Sequence, residues 1–234
     1  MPSILGRAFA AAVLALLCAP TFAASAPLAP DKVRIDQLLG ETQKTSPSTD
    51  TLDIVWWIPP QFWQSVLTDD ATDPAVREEI TELFGGYTVF AVAYGKLGTF
   101  GASGFLDEDA LRNELELVDM HGGSHAPLSQ EDVDERFGVM VQMMKPVLAN
   151  LIGQLGSNIH FIAFPAKDAD GRRVVDPYAE GRMVVQLKDH AYAFRLPLGS
   201  LLSPKRDAGS GEIFPGSYDY NPYTGAKLEA APSP

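Results

Sequence analysis

The chain has 234 residues, 46% of them hydrophobic, a formal charge of −12 at neutral pH and one cysteine. This acidity argues against nucleic acid as a partner and against docking on an anionic membrane surface, because both need clustered Lys and Arg. The length suits one domain with a real core plus irregular ends.

The first 26 residues read as a secretory signal peptide. Arg7 supplies a positive start, Ala8 to Leu17 is a short apolar run, and small residues follow. Ala24-Ser25-Ala26 gives an A-x-A cleavage site, with Thr21-Phe22-Ala23 competing. The apolar run is too short for a permanent membrane span, and no later stretch is long and apolar enough to be one. Loss of the leader removes Cys18, so the mature chain is expected to have no disulfide, thiolate nucleophile or cysteine-ligated metal. The periplasm or the secreted fraction is the expected location.

Residues 27–51 are expected to be a flexible segment. Asp31 can cap a short helix from Lys32 to Leu39 ended by Gly40, and a Ser/Thr-rich loop containing Pro47 follows. Leu52 to Ile58 is apolar on both faces and reads as a central strand. Pro59-Pro60 then suits the first turn of a helix carrying Phe62, Trp63, Val66 and Leu67. Asp73-Pro74 opens another helix, closed at Gly85-Gly86. Tyr87 to Tyr94 is a strand, turning at residues 95–98 into a second one near Thr99 to Leu106. Asn113 to Met120 alternates apolar and acidic residues and reads as a half-exposed strand.

Residues 129–165 form the largest apolar surface. Val133, Phe137, Met140, Val141, Met144, Leu148, Leu151, Ile152 and Leu155 share one face of a long helix. Ser129 with Asp132 gives a capping-box-like start, and Gly156 gives a stop. Pro146 has no N–H for the Gln142 carbonyl and predicts a kink. His160 to Phe164 is a buried strand, and Arg182 to Leu187 with Ala191 to Leu196 makes a hairpin. The expectation is an α+β fold, a mainly antiparallel sheet of about five to seven strands with this helix and shorter ones packed on it. A single domain would cover 52–197, with 198–234 an irregular tail rich in tyrosine.

Two places could carry function. Asp119, His121 and His125 lie in a Gly-rich stretch that could fold back on itself, and one carboxylate with two imidazoles suits zinc with an open position for water. His160 is a further candidate for that group. Against this stands Gly122-Gly123, which makes the helical His-x-x-x-His geometry unfavourable. The other place is Trp56 to Trp63, where Trp57 and Trp63 could anchor a ligand, although large aromatics here also fit a core strand and helix. Asp168-Ala169-Asp170-Gly171 lacks the distal ligands of a calcium loop and reads as a turn. No Gly-x-Ser-x-Gly elbow is present, and the paired carboxylates sit at helix caps or on polar faces.

The reading from sequence is an exported cell-envelope protein that binds a ligand or protein without catalysis and without a cofactor. Its rival is a metal-dependent hydrolase with zinc on Asp119, His121 and His125.

Overall fold

A computed structural model describes residues 25–68 and 73–231. The leader expected over residues 1–26 falls outside them as far as position 24, and the side chains of Leu148, Leu151 and Ile152 also lie outside the described ones.

The fold is mixed α+β, built on antiparallel sheets. In chain order the first elements are α1 (Ile35–Thr42), β1 (Gln43–Lys44), β2 (Thr51–Ile58), α2 (Pro60–Val66), α3 (Pro74–Gly85) and β3 (Tyr87–Gly98). Then come β4 (Gly101–Ser103), α4 (Glu108–Glu114), β5 (Leu115–Val118), β6 (Ser124–His125), α5 (Glu135–Ser157) and β7 (His160–Pro165). A hairpin of β8 (Gly181–Leu187) and β9 (His190–Leu196) follows, and β10 (Lys205–Asp207), β11 (Ile213–Phe214) and β12 (Leu228–Ala230) end the chain.

The largest sheet has five strands centred on β3, which pairs with β2 on one edge and with β7 and β4 on the other. Trp56 stands opposite Ala91 and Trp57 opposite Phe90. Successive side chains of a strand leave by opposite faces, so the doubly apolar sequences of β2, β3 and β7 must be covered on both sides. One face carries Val55, Trp57, Phe90, Val92 and Phe164 and packs on a four-stranded sheet ordered β6-β5-β8-β9, through Leu117, Met183, Val185 and Phe194. The other carries Trp56, Ile58, Val89, Ala91 and Phe161 and meets Trp63 of α2, Phe84 of α3, and Phe137 and Val141 of α5. The result is three layers: sheet, sheet and helices. Each buried aromatic removes ~150–250 Å² from water, so the doubly covered sheet is the energetic centre of the fold.

Several boundaries differ from those the sequence suggests. α1 continues through Gly40 to Thr42, whose hydroxyl donates to the Leu38 carbonyl, and Leu38 is fully buried. The strand expected over 113–120 is confined to Leu115–Val118, because Asn113 and Glu114 close a helix, α4, that Asp107 caps by accepting from the Ala110 N–H. Ser129 does not cap α5. Its hydroxyl donates to Asp132 at a short 3-10 turn, Val133 is extended, and Asp134 caps the helix by accepting from the Arg136 N–H. Pro146 lies within α5.

The segment before residue 52, expected to be flexible, is tied to the domain at two carboxylates. Glu41 accepts from the Gly199 and Ser200 amides. Asp53, buried, accepts from the Ser46 N–H and hydroxyl and from the Tyr192 hydroxyl at 2.6 Å. The tail expected to be irregular holds a three-stranded sheet, β11-β10-β12, in which Asp207 accepts from Gly209, Ser210 and Asn221.

Candidate functional site

The chain leaves β5 at Val118 and turns at once. The Asp119 N–H donates to the Gly123 carbonyl at 2.8 Å and the Gly122 N–H to the Asp119 carbonyl at 3.1 Å. Gly122 has φ +87, a backbone state that side chains disfavour and glycine adopts freely. The turn returns the chain as β6, which places His125 opposite Leu117 of β5. Asp119, 3% exposed, sits inside it. Its Oδ1 accepts from the His121 and Gly123 amides at 2.7 and 2.8 Å, and its Oδ2 lies 2.7 Å from His125 Nε2. Burial pushes the Asp119 carboxyl up, but hydrogen bonds from His125, Gly123 and His121 outweigh it and hold the group below its ordinary value.

Of the three residues considered for zinc, the turn therefore joins Asp119 to His125. His121 contributes its backbone amide, and its side chain is exposed. His160 faces Glu108 on α4 instead. Among the described residues, no group of three or more His, Cys, Asp or Glu side chains is placed to share a metal ion. The exposed Ser124 hydroxyl donates to Glu116, away from the imidazole that a serine nucleophile would need. In chemical terms the arrangement is a carboxylate that closes a turn and orients one imidazole.

Trp57 and Trp63 lie in the interior, at 2% and 7% exposure. Trp57 meets Phe194 edge-on between the sheets, and Trp63 packs on Phe84 at 4.5 Å and Phe62 at 5.2 Å between sheet and helices. Neither presents a face to a ligand. The Asp168 carboxylate accepts from the Asp170 and Arg172 amides within a turn, so the 168–171 stretch is a connector.

A groove that the sequence did not single out runs between α4, the 3-10 turn before α5, and the first half of α5. It encloses about 710 Å³. Val133, Val139 and Met143 form its accessible apolar side over buried Phe137, Val141 and Phe161; the carboxylates of Glu108, Asp134 and Glu135 line it together with Arg112, Gln130 and Lys145. The four-residue spacing on α4 puts Glu108 and Arg112 side by side, 2.9 Å apart. Arg112 also donates to the Leu128 carbonyl, and Gln130 donates to Glu108 at 3.4 Å. His160 Nδ1, from the start of β7, lies 3.6 Å from the second Glu108 oxygen. Burial raises the Glu108 carboxyl, but Arg112 outweighs it and the group sits below its ordinary value. Burial and then the Lys145 ammonium lower His160, against Glu108, which leaves a neutral imidazole at neutral pH. Among the described residues Lys145 has no ion-pair partner.

The sequence signal for this groove was present but local. Asp107 as a cap and Glu108-x-x-x-Arg112 as a pair mark a helix, yet nothing in them points to α5 or β7. Comparison with family models, curated proteins and solved structures finds no match to this chain.

Proposed function

We propose that the chain is an exported, non-catalytic binding protein of the cell envelope, in the periplasm or secreted, and that its ligand occupies the α4–α5 groove. The observation that carries this reading is the groove itself: an apolar wall beside charged side chains, with Met143 67% exposed along it. Isolated exposed apolar residues are ordinary, but a contiguous apolar wall lined by a few polar groups is the usual form of a ligand site. The occupant that fits is an amphiphile. Its apolar body lies against the exposed Val139 and Met143, with buried Phe137, Val141 and Phe161 beneath them, and its anionic end reaches the Lys145 ammonium. The leader-like residues 1–26 support export, and no helix among the described residues is long and apolar enough to cross a membrane.

Anilinonaphthalene sulfonate combines a fused apolar ring system with one anionic group and is a direct probe. Titration should show one saturable site, weakened tenfold or more by Met143→Glu and by Lys145→Glu. Absence of saturable binding, or affinity unchanged in both variants, overturns the groove as the binding site.

The second reading, a metal-dependent hydrolase, keeps one supporting observation, the contact between Asp119 and His125. Zinc content separates the two. The binding reading expects substoichiometric zinc that His121→Ala and His125→Ala leave unchanged. Stoichiometric zinc lost in those variants establishes the metal site.

A further inference from the structure

We infer that the leader is removed by hydrolysis of the Ala23–Ala24 peptide bond rather than at Ala26. The inference rests on the export reading above and concerns which bond is cut. Water adds across the amide, so Ala23 keeps a carboxylate and Ala24 becomes the new ammonium terminus. No co-reactant beyond water and the peptidase of the export machinery is needed.

The folded domain already uses the residues between the two bonds. The Ser25 hydroxyl donates to the Gly216 carbonyl at 2.9 Å. The Ser203 N–H donates to the Ala26 carbonyl at 2.8 Å, and the Leu28 N–H to the Leu201 carbonyl at 2.9 Å. Between them Pro27 forms an antiparallel bridge to Leu202. On its other side the 202–203 stretch touches Gly216 so closely that a Cβ there would lie 2.5 Å from both Leu202 Cβ and the Ser203 carbonyl oxygen. Residues 25–28 are thus one side of a layered contact that continues through 201–203 to Gly216. A cut after Ala26 discards the Ser25 and Ala26 bonds and leaves a charged Pro27 terminus at the bridge. A cut after Ala23 keeps all of it.

The peptidase meets the chain before it folds, so the sequence must select the bond. It does so through Pro27. The downstream bond is Ala26–Pro27, in which the ring removes the N–H and restricts the backbone of the preceding residue. The upstream bond has small residues at both recognition positions, Thr21 and Ala23, and unhindered Ala24 after it.

The test is to express the full chain in a bacterial host with an intact export pathway. The N-terminus of the exported product is then read by sequential degradation and intact mass. The inference expects a product beginning Ala24-Ser25-Ala26. A product beginning at Ala26 or Pro27 overturns it and leaves the export reading standing, whereas a chain that keeps Met1 overturns both. Two variants make the assignment independent of one mass. Ala23→Leu should abolish the product beginning at Ala24, and Ala26→Leu should leave the cleaved bond and yield unchanged. Precursor accumulating with Ala26→Leu is the contrary result.

Discussion

Two regions of the molecule set a carboxylate against an imidazole, and they differ in what surrounds the pair. In the 119–125 turn, Asp119 and His125 meet at 2.7 Å, and the other carboxylate oxygen is filled by two backbone amides of the same loop. In the α4–α5 groove, Glu108 and His160 stand 3.6 Å apart, Arg112 bridges α4 to the Leu128 carbonyl, and an apolar wall lies alongside. The first is saturated by its own loop. The second joins side chains from three elements and keeps an open side, which is what a ligand requires. Chemistry-bearing residue types therefore do not mark a site by themselves; the space left beside them does.

The largest expected effect tests the saturated side. Asp119→Ala removes a buried charged acceptor shared by the His121 and Gly123 amides and the His125 ring. The unfolding free energy from urea titration should fall by about 3 kcal/mol. Met143→Glu, on the exposed groove wall, should change it by no more than about 0.5 kcal/mol while losing probe binding. Equal losses of stability in the two variants would erase the distinction drawn between the regions. The sign with pH follows from the lowered Asp119 carboxyl: its contribution is present above the ordinary carboxyl pKa and is lost as pH falls through the folded value. The gap between wild type and Asp119→Ala should accordingly close in acid.

Gly123→Ala is a smaller perturbation of the same turn. A Cβ there would sit 2.8 Å from Asp119 Oδ2 and 3.4 Å from His125 Nε2, so the carboxylate–imidazole contact must open. A cost of about 1–3 kcal/mol is expected, typical of forcing an extra methyl into a packed site. Displaced His125 ring resonances in an NMR spectrum of the variant would locate the change; an undisturbed ring would contradict the contact.

How much of this was legible in the sequence follows from the range of each signal. β2, β3, β7 and the β8–β9 hairpin were readable because alternation within a strand reports burial of both faces, as in Trp56 and Trp57. The division into a five-stranded, a four-stranded and a three-stranded sheet was not, because alternation says nothing about which strands pair. α4 was missed since Leu111 is its only buried residue, too few for a helical period. β10 to β12 are two or three residues long, below the length at which a period exists. The start of α5 was misplaced because Ser129 and Asp134 are equally good caps, and only the extended Val133 between them decides. At the sites, the Asp119–His125 contact was foreseeable as a local fold-back. Trp57 and Trp63 are core, as the apolar faces of their strand and helix allowed. The groove required knowing that α4, α5 and β7 converge, which is tertiary information.

The smallest effect concerns the groove's own imidazole and shows why its openness matters. Burial removes water from a protonated His160, and the Lys145 ammonium repels it, so its folded pKa lies below the ordinary value near 6.5 despite Glu108. The unfolded chain then binds the extra proton at a higher pH than the folded one. Stability falls as pH is lowered through that window and levels off once the folded value is passed. In urea titrations between pH 7 and pH 5, His160→Gln should remove this slope, an effect of about 1 kcal/mol or less. Lys145→Met should reduce the slope in wild-type His160, because it deletes one of the two causes. An anionic ligand seated beside Lys145 would do the same by neutralising the ammonium. Saturating anilinonaphthalene sulfonate should therefore flatten the slope in wild type and leave Lys145→Met unchanged, linking the groove's titration to its occupancy.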